Sequence, residues 1–358
     1  MKTQKAAVIG HPIGHTMSPF IQERLFGLSG IPMEYQVIDV PNLADALPKL
    51  RELDCFNITI PHKTGIIPYL EDMCESARLC GSVNTVKVTD GRLYGYTTDG
   101  AGAAVSLAVH GLDFCRRVLI LGNGGAARAI AFQAAVNRPD FDISIAHREG
   151  SCDKAMALAG ELADFARARG DKKFRITVMS YRELEDEPGK EYGLLVNTTS
   201  VGMYPEVKAC PVSGRVVERC EAVFDAVFNP GETELLKLAK ELRKKTVPGM
   251  GMLVCQAAYS HKIWYGTEFR NEDILQLIEE AKEELAKVRG GNMKGNIILC
   301  GFMGCGKSSV GRRAAVLCGR ELCDLDRYIE EKAGMTVSEI FARYGEEGFR
   351  RLERQAVR

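Results

Sequence analysis

The sequence predicts an α/β fold laid out in three parts, and three observations predict it. Strand-like apolar runs alternate with helix-like runs along the chain, the pattern of sheets layered by helices. Arg117-Val118-Leu119-Ile120-Leu121 reads as a buried strand and runs directly into Gly122-Asn123-Gly124-Gly125-Ala126-Ala127 and an apolar helix. Near the end, Asn296-Ile297-Ile298-Leu299-Cys300 feeds a complete G-x-x-x-x-G-K-[ST] pattern, Gly301 to Ser308.

Composition bounds the rest. A length of 358 residues suggests two to three domains. With 46% apolar and 26% charged residues, the chain can bury more than one core. The formal net charge is zero, so nothing global points to nucleic acid or an anionic membrane. No apolar run has the length of a membrane span, and the N-terminus lacks the apolar segment of a secretory signal. Twelve cysteines are scattered without a Cys-x-x-Cys, and the six histidines lack ligand spacing. They read as reduced thiols in a cytoplasmic protein without a metal cluster.

Taken in order, residues 6–10 read as a strand, and residues 11–19 as a loop rich in Gly, Pro and hydroxyls. Pro19 suits the first turn of a following helix, which places Thr16 and Ser18 just before its N-terminus, where a carboxylate or phosphate fits. The alternative for Ser18 is a plain N-cap. A strand over 34–40 and a helix over 42–52 follow. Asn57-Ile58-Thr59-Ile60 is a strand ending at Pro61, and it hands Lys63 to a loop. A helix is expected over about 64–80, a strand over 82–88 with Asn84 near its start, and a strand over 92–96 ending near Asp99. A helix over about 100–110 completes this part. Lys63 and Asp99 are candidates to face each other across a small polar substrate; two ordinary surface charges are the alternative.

Gly122 to Ala127 fits the G-x-G-x-x-[G/A] fingerprint of a dinucleotide site. Gly122 makes the tight turn, Gly124 admits a pyrophosphate, and Ala127 lets helix pack on strand. Gly125 and Ala126 lie between. The next strand, Asp142–Ala146, ends at His147-Arg148-Glu149. An arginine there favours the 2′-phosphate of NADP, whereas Glu149 favours NAD. Further strands are expected at 175–179, 193–197 and 222–228, with helices over 152–170 and 232–244. A helix beginning near Gly251 presents Gln256, and an acidic helix spans 271–288. Residues 289–295 lose apolar periodicity and read as a linker. In the P-loop that follows, Gly304 and Gly306 open the backbone to ATP phosphates, Lys307 neutralises them and Ser308 suits Mg²⁺.

Gly10 to Pro19, Asn57 to Lys63, Gly81-Ser82-Val83-Asn84-Thr85, Thr98-Asp99-Gly100, Gly122 to Ala129 and Gly249 to Gln256 together resemble the shikimate dehydrogenases, over residues 1 to about 288. From about 296, the P-loop with Asp324-Leu325-Asp326 and Gly345 to Glu353 resembles the N-terminal part of the shikimate kinases. The resemblance implies a substrate and catalytic domain over 1–105 completed by 249–288, a Rossmann NADP domain over 106–248, and a kinase segment over 296–358. It implies NADP-dependent interconversion of 3-dehydroshikimate and shikimate, with Lys63 as acid/base and Asp99 as its partner. Thr16 and Ser18 then match carboxylate-binding hydroxyls, and Asn57, Thr59, Asn84 and Gln256 match contacts to ring hydroxyls. His147, Arg148 and Gly249 join the cofactor residues. In the kinase segment it assigns ATP and Mg²⁺ to Lys307 and Ser308, and shikimate to Asp326 and Arg350.

Three positions depart from the pattern. Thr16 replaces a serine, Phe228 a tyrosine, and His147-Arg148-Glu149 an Asn-Arg-Thr run. A quinate/shikimate dehydrogenase using NAD, and a binding module without turnover, therefore stay open. The later substrate loop and lid of the kinase pattern fall beyond Arg358, so the segment by itself is expected to be nearly inactive. The partners expected are small molecules, with no nucleic acid or membrane, and the chain is either a monomer or a homodimer.

Overall fold

The structure, a computed structural model, describes residues 3–13, 16–187, 189–290, 299, 307–318 and 322–356. They divide into two compact units, one ending at Gly290 and one starting at Gly291.

The first unit holds two six-stranded sheets. Sheet one contains β1 (Gln4–Gly10), β2 (Met33–Asp39), β3 (Cys55–Ile58), β4 (Asp72–Met73), β5 (Thr85–Thr89) and β6 (Arg92–Tyr96), in the order β2-β1-β3-β5-β6-β4. β1 pairs parallel with β2 and β3, while β5 runs antiparallel to β3 and β6. Ala6 to Ile9 of β1 are buried, as a central strand covered on both faces requires. The helices here are α1 (Ser18–Ser29), α2 (Leu43–Leu50), α3 (Glu75–Cys80) and α4 (Asp99–Val109). Asn42 caps α2 by accepting the Ala44 amide at 3.2 Å.

Sheet two contains β7 (Arg117–Leu121), β8 (Asp142–His147), β9 (Arg175–Ser180), β10 (Tyr192–Asn197), β11 (Cys220–Asp225) and β12 (Lys245–Val247). All are parallel, in the order β12-β11-β10-β7-β8-β9. This is the doubly wound arrangement, with its switch point between β7 and β10. Val118 to Leu121 are fully buried, each contributing roughly 2 kcal/mol through removal from water. Its helices are α5 (Gly125–Asn137), α6 (Cys152–Arg169), α7 (Tyr181–Asp186), α8 (Gly214–Glu218) and α9 (Glu234–Glu241). α10 (Gly249–Tyr265) and α11 (Asn271–Gly290) then return to sheet one. Met250, Val254 and Cys255 of α10 share a core with Met17 before α1, Ile21 and Leu25 of α1, and Ile274, Leu277 and Ile278 of α11. The Trp264 indole donates to the Val86 carbonyl at 3.0 Å and pins α10 to β5.

Several expectations shift. The helix expected over 64–80 is broken into a 3₁₀ turn at Ile67–Tyr69, the edge strand β4 and the short α3. Pro68 inside that stretch lacks the N–H a continuous helix needs. The strand expected from 82 starts at Thr85, because Val83 N is taken by the Lys63 carbonyl at 2.9 Å. The strand expected over 222–228 stops at Asp225, whose carboxylate turns back to accept the Val227 amide at 3.0 Å. α11 runs on through Gly290, two residues into the expected linker.

The second unit contributes α12 (Lys307–Cys318), α13 (Leu325–Ala333) and α14 (Val337–Ala356), the last bent at Gly345 with φ +66°. Ile329, Ile340 and Phe349 form its described core. The expected strand at 296–300, apart from Leu299, and the glycines Gly304 and Gly306 lie outside the described residues.

Candidate active site

Beyond β3 the chain turns through Thr59–Ile66, held by the buried His62 ring against the Val40 carbonyl at 2.7 Å. Lys63 rides on this turn. Asp99 opens α4, where unpaired amides favour a carboxylate. The Lys63 Nζ meets Asp99 Oδ2 at 2.7 Å. The lysine side chain is 28% exposed and the aspartate 12%, so a ligand can reach the ammonium while the carboxylate stays largely shielded. The two charges meet each other rather than standing apart on the surface.

A polar wall stands behind this pair. Asn84 donates to Asp99 Oδ1 at 2.8 Å and to Gln256 Oε1 at 3.3 Å, and it accepts the Thr98 amide at 2.9 Å. Asn57 donates toward Thr85 and Ser260, each at 3.3 Å. Asn57, Asn84, Asp99, Lys63 and Gln256 are thus gathered from β3, two loops, α4 and α10. Thr59 follows β3, its amide on the Ile9 carbonyl at 2.9 Å. The close packing of α4 on α10 makes the meeting possible. A side chain at Gly102 would press on Gln256 backbone at 2.8 Å, and one at Gly251 on Ser106 at 2.5 Å.

Ser18 is the first residue of α1 rather than its cap, which is Met17. The Thr16 hydroxyl donates to Ser18 Oγ at 3.1 Å and accepts the Ser18 amide at 3.2 Å. One turn on, Gln22 donates to Asn57 at 2.9 Å, so the face of α1 that carries Ser18 is turned to the polar wall. Phe228 packs against the α1–α10–α11 core.

The glycine-rich turn fits a dinucleotide. Gly122 has φ +104°, and a side chain there would strike Thr198 Oγ1 at 2.9 Å. Gly124 precedes α5, and both it and Gly125 face open space, as a pyrophosphate needs. Ala127 is fully buried on the inner side of α5, while Ala126 is half-buried. The Asn123 amide donates to the Ser151 carbonyl at 2.7 Å and ties this turn to the loop after β8. His147, buried, ends β8, and Arg148, exposed, opens that loop. Gly249 has a packing reason: a side chain there would lie 2.6 Å from the Val227 carbonyl. A cleft of about 520 Å³ is lined by Lys63 on one side and by Asn123, Gly124, Gly125, Arg128 and Lys154 on the other. It reaches from the turn to Lys63.

Sequence reading missed several members. Gln22 and Ser260 each lie four residues after a named candidate, Ser18 and Gln256, and that helical spacing was the available signal. Thr98 and Thr85 had none beyond adjacency. Arg128 donates twice to the Leu79 carbonyl, at 2.7 and 3.1 Å, and so ties α5 to α3 across the cleft. Asp225, fully buried, accepts from Asn197 at 2.9 Å and Thr233 at 2.6 Å. Burial pushes its carboxyl up to about 6 against those bonds, which pull it down. Asn197 in turn accepts from Thr199, fixing the loop beside Gly122.

In the second unit Lys307 and Ser308 begin α12. Asp326 is exposed in the first turn of α13. Arg350 on α14 pairs with Glu353 at 2.7 Å and Glu346 at 3.6 Å.

Comparison with known proteins agrees with this arrangement. Residues 8–86 match the model of the shikimate dehydrogenase substrate binding domain, and residues 303–358 match that of shikimate kinase. The NADP(+) shikimate dehydrogenase of Methanocaldococcus jannaschii is 39% identical over 273 residues, 75% of this chain and 93% of that protein. The Bacillus subtilis enzyme is 37% identical over 282 residues, 76% of this chain and 95% of its own length. The Thermus thermophilus shikimate 5-dehydrogenase, solved with NADP(H) and shikimate, superposes with a TM-score of 0.68 at 28% identity, over 78% of this chain and all of that one. With relatives of this identity covered almost end to end, the chain belongs to the shikimate dehydrogenase family and carries a shikimate kinase segment at residues 303–358.

Proposed function

We propose that the first unit interconverts 3-dehydroshikimate and shikimate, with NADP held on the glycine-rich turn beside the cleft and its 2′-phosphate at Arg148. The observation that carries this reading is the Lys63–Asp99 contact at 2.7 Å, set on the cleft that the glycine-rich turn also lines. NADP supplies the hydride acceptor or donor. Lys63 gives a proton to the ketone oxygen during reduction and withdraws it from the hydroxyl during oxidation. Asp99 holds the ammonium in place and accepts from a neighbouring substrate hydroxyl. Asn57, Thr59, Asn84 and Gln256 take ring hydroxyls, and Thr16 and Ser18 take the carboxylate at the start of α1. In the second unit, ATP phosphates and Mg²⁺ belong at the start of α12, with Lys307 and Ser308, and shikimate belongs with Asp326 and Arg350.

Initial rates with shikimate or quinate, each paired with NADP⁺ or NAD⁺, test the reading. Fast reduction with shikimate and NADP⁺ alone is expected. Comparable turnover of quinate or use of NAD⁺ would shift the specificity and place it on Thr16, Phe228 and Glu149. No turnover with any pair, from folded protein, would leave a binding module.

A further inference from the structure

The imidazole of His261 on α10 is fully buried and lies among aromatic rings. Phe26, Phe269 and Trp264 have centroids 4.5, 5.5 and 5.7 Å away. Its Nε2 lies 2.9 Å from Gln22 Oε1, and its Nδ1 has no hydrogen-bond partner. Burial pushes its pKa down to about 4, so the ring is neutral at neutral pH. A neutral ring has one N–H, and the carbonyl end of Gln22 can only accept it.

From that N–H the hydrogen bonds run one way. Gln22 donates to Asn57 Oδ1 at 2.9 Å, and Asn57 donates to Thr85 Oγ1 at 3.3 Å. Thr85 donates to Asn84 Oδ1 at 3.1 Å, and Asn84 donates to Asp99 Oδ1 at 2.8 Å. The Tyr35 hydroxyl, kept protonated by burial, adds a second donor to Asn57 Oδ1 at 3.3 Å. Each amide in the series offers its carbonyl toward His261 and its NH₂ toward Asp99. If one amide flips, donor meets donor on one side and acceptor meets acceptor on the other. A buried mismatch of that kind costs on the order of 1–3 kcal/mol.

We propose that His261 is a positioning residue for the dehydrogenase site: its Nε2–H fixes the Gln22 carboxamide and so helps hold Asn57 with its Oδ1 on Gln22 and its NH₂ toward Thr85, whereas Asn84 is held separately by the Thr98 amide on its Oδ1 at 2.9 Å. The proposal rests on the reading that Asn57 contacts shikimate. It explains why a histidine sits in an aromatic cluster that touches nothing in the cleft. It also explains why α1 and α10, far apart in sequence, meet through a polar contact inside an apolar core.

Two variants and one spectrum of the full chain test it. His261→Phe keeps a ring among its aromatic neighbours and removes the donor. His261→Gln places an amide N–H near the position of Nε2. H261F is expected to raise the KM for shikimate about tenfold while the KM for NADP⁺ stays within about twofold, and H261Q to restore shikimate binding to within about threefold. An unchanged shikimate KM in H261F, or equal effects of both variants on both KM values, overturns the proposal. The spectrum is independent of turnover. A proton–nitrogen correlation spectrum of the histidine rings at neutral pH, with His261 assigned by its loss in H261Q, should show the proton on Nε2 and a bare Nδ1. A proton on Nδ1 overturns the proposal whether or not H261F folds. Failure of the wild-type chain to oxidise shikimate would instead count against the proposed function.

Discussion

Two unrelated constraints place Lys63, the residue proposed to carry the chemistry. The backbone carbonyl of Lys63 accepts the Val83 amide, which fixes the turn, and its amine is held by Asp99. Lys63→Ala removes the proposed proton donor without touching a core, since the residue is partly exposed. We expect kcat to fall about 10²- to 10⁴-fold with an unchanged melting temperature. A wild-type kcat in that variant would remove Lys63 from the acid/base role. Arg148 stands exposed after β8, beside the loop tied to the glycine-rich turn. Arg148→Ala should raise the KM for NADP⁺ much more than that for NAD⁺, because only the former carries the 2′-phosphate. Equal effects on both would count against phosphate contact. Of the site, Lys63, Asp99, Asn57, Asn84 and Gln256 were legible as residues, because each falls in a recognisable block of the sequence. Gln22, Thr85, Ser260 and His261 were not, since their significance is only whom they touch.

Elements meet at this site through close backbone approaches and buried polar ties. α4 and α10 lie close enough that Gly102 and Gly251 have no room for side chains. That closeness brings Asp99 and Gln256 to the same amide, Asn84. β10 and β11 are joined by Asn197, Asp225 and Thr233. Burial raises the Asp225 carboxyl from its ordinary 3.8 to about 6. Between those values the folded state binds the proton more tightly than the unfolded chain does. The contribution of Asp225 is therefore fully present below the unfolded pKa and is lost as pH rises through the folded one. The stability of wild type relative to Asp225→Asn should consequently fall from about pH 4 to about pH 6 and then level off. Melting curves of both proteins across that range would show it; a constant difference would mean the carboxyl is ionised throughout. Element type was legible for most strands. The segment between Lys63 and Cys80 was not, because Pro68 and the pairing of β4 with β6 override its helical look.

At the scale of the molecule, the two sheets of the first unit share one cleft, and Arg128 reaches from α5 to the Leu79 carbonyl across it. No helix among the described residues is long and apolar enough to cross a membrane. Relatives of nearly the first unit's length are complete dehydrogenases by name, with 273 residues of this chain covering 93% of one of them. A chain ending at Gly290 is therefore expected to keep kcat and both KM values within about twofold of the full chain. A large loss in that shortened chain would show that the second unit acts on the first.

The α/β class, the order of its parts and the glycine-rich turn were legible in the sequence, which also named Lys63 and Asp99 as candidates. These follow from local rules: apolar periodicity, turn chemistry, and the need of a pyrophosphate for small residues before a helix. Tertiary structure alone decided which residues complete the wall behind that pair. Hydrogen bonds between Gln22 and Asn57, or between His261 and Gln22, join positions 35 and 239 residues apart. Local sequence carries no signal of such a bond, because its partner is chosen by how α1 and α10 pack on sheet one.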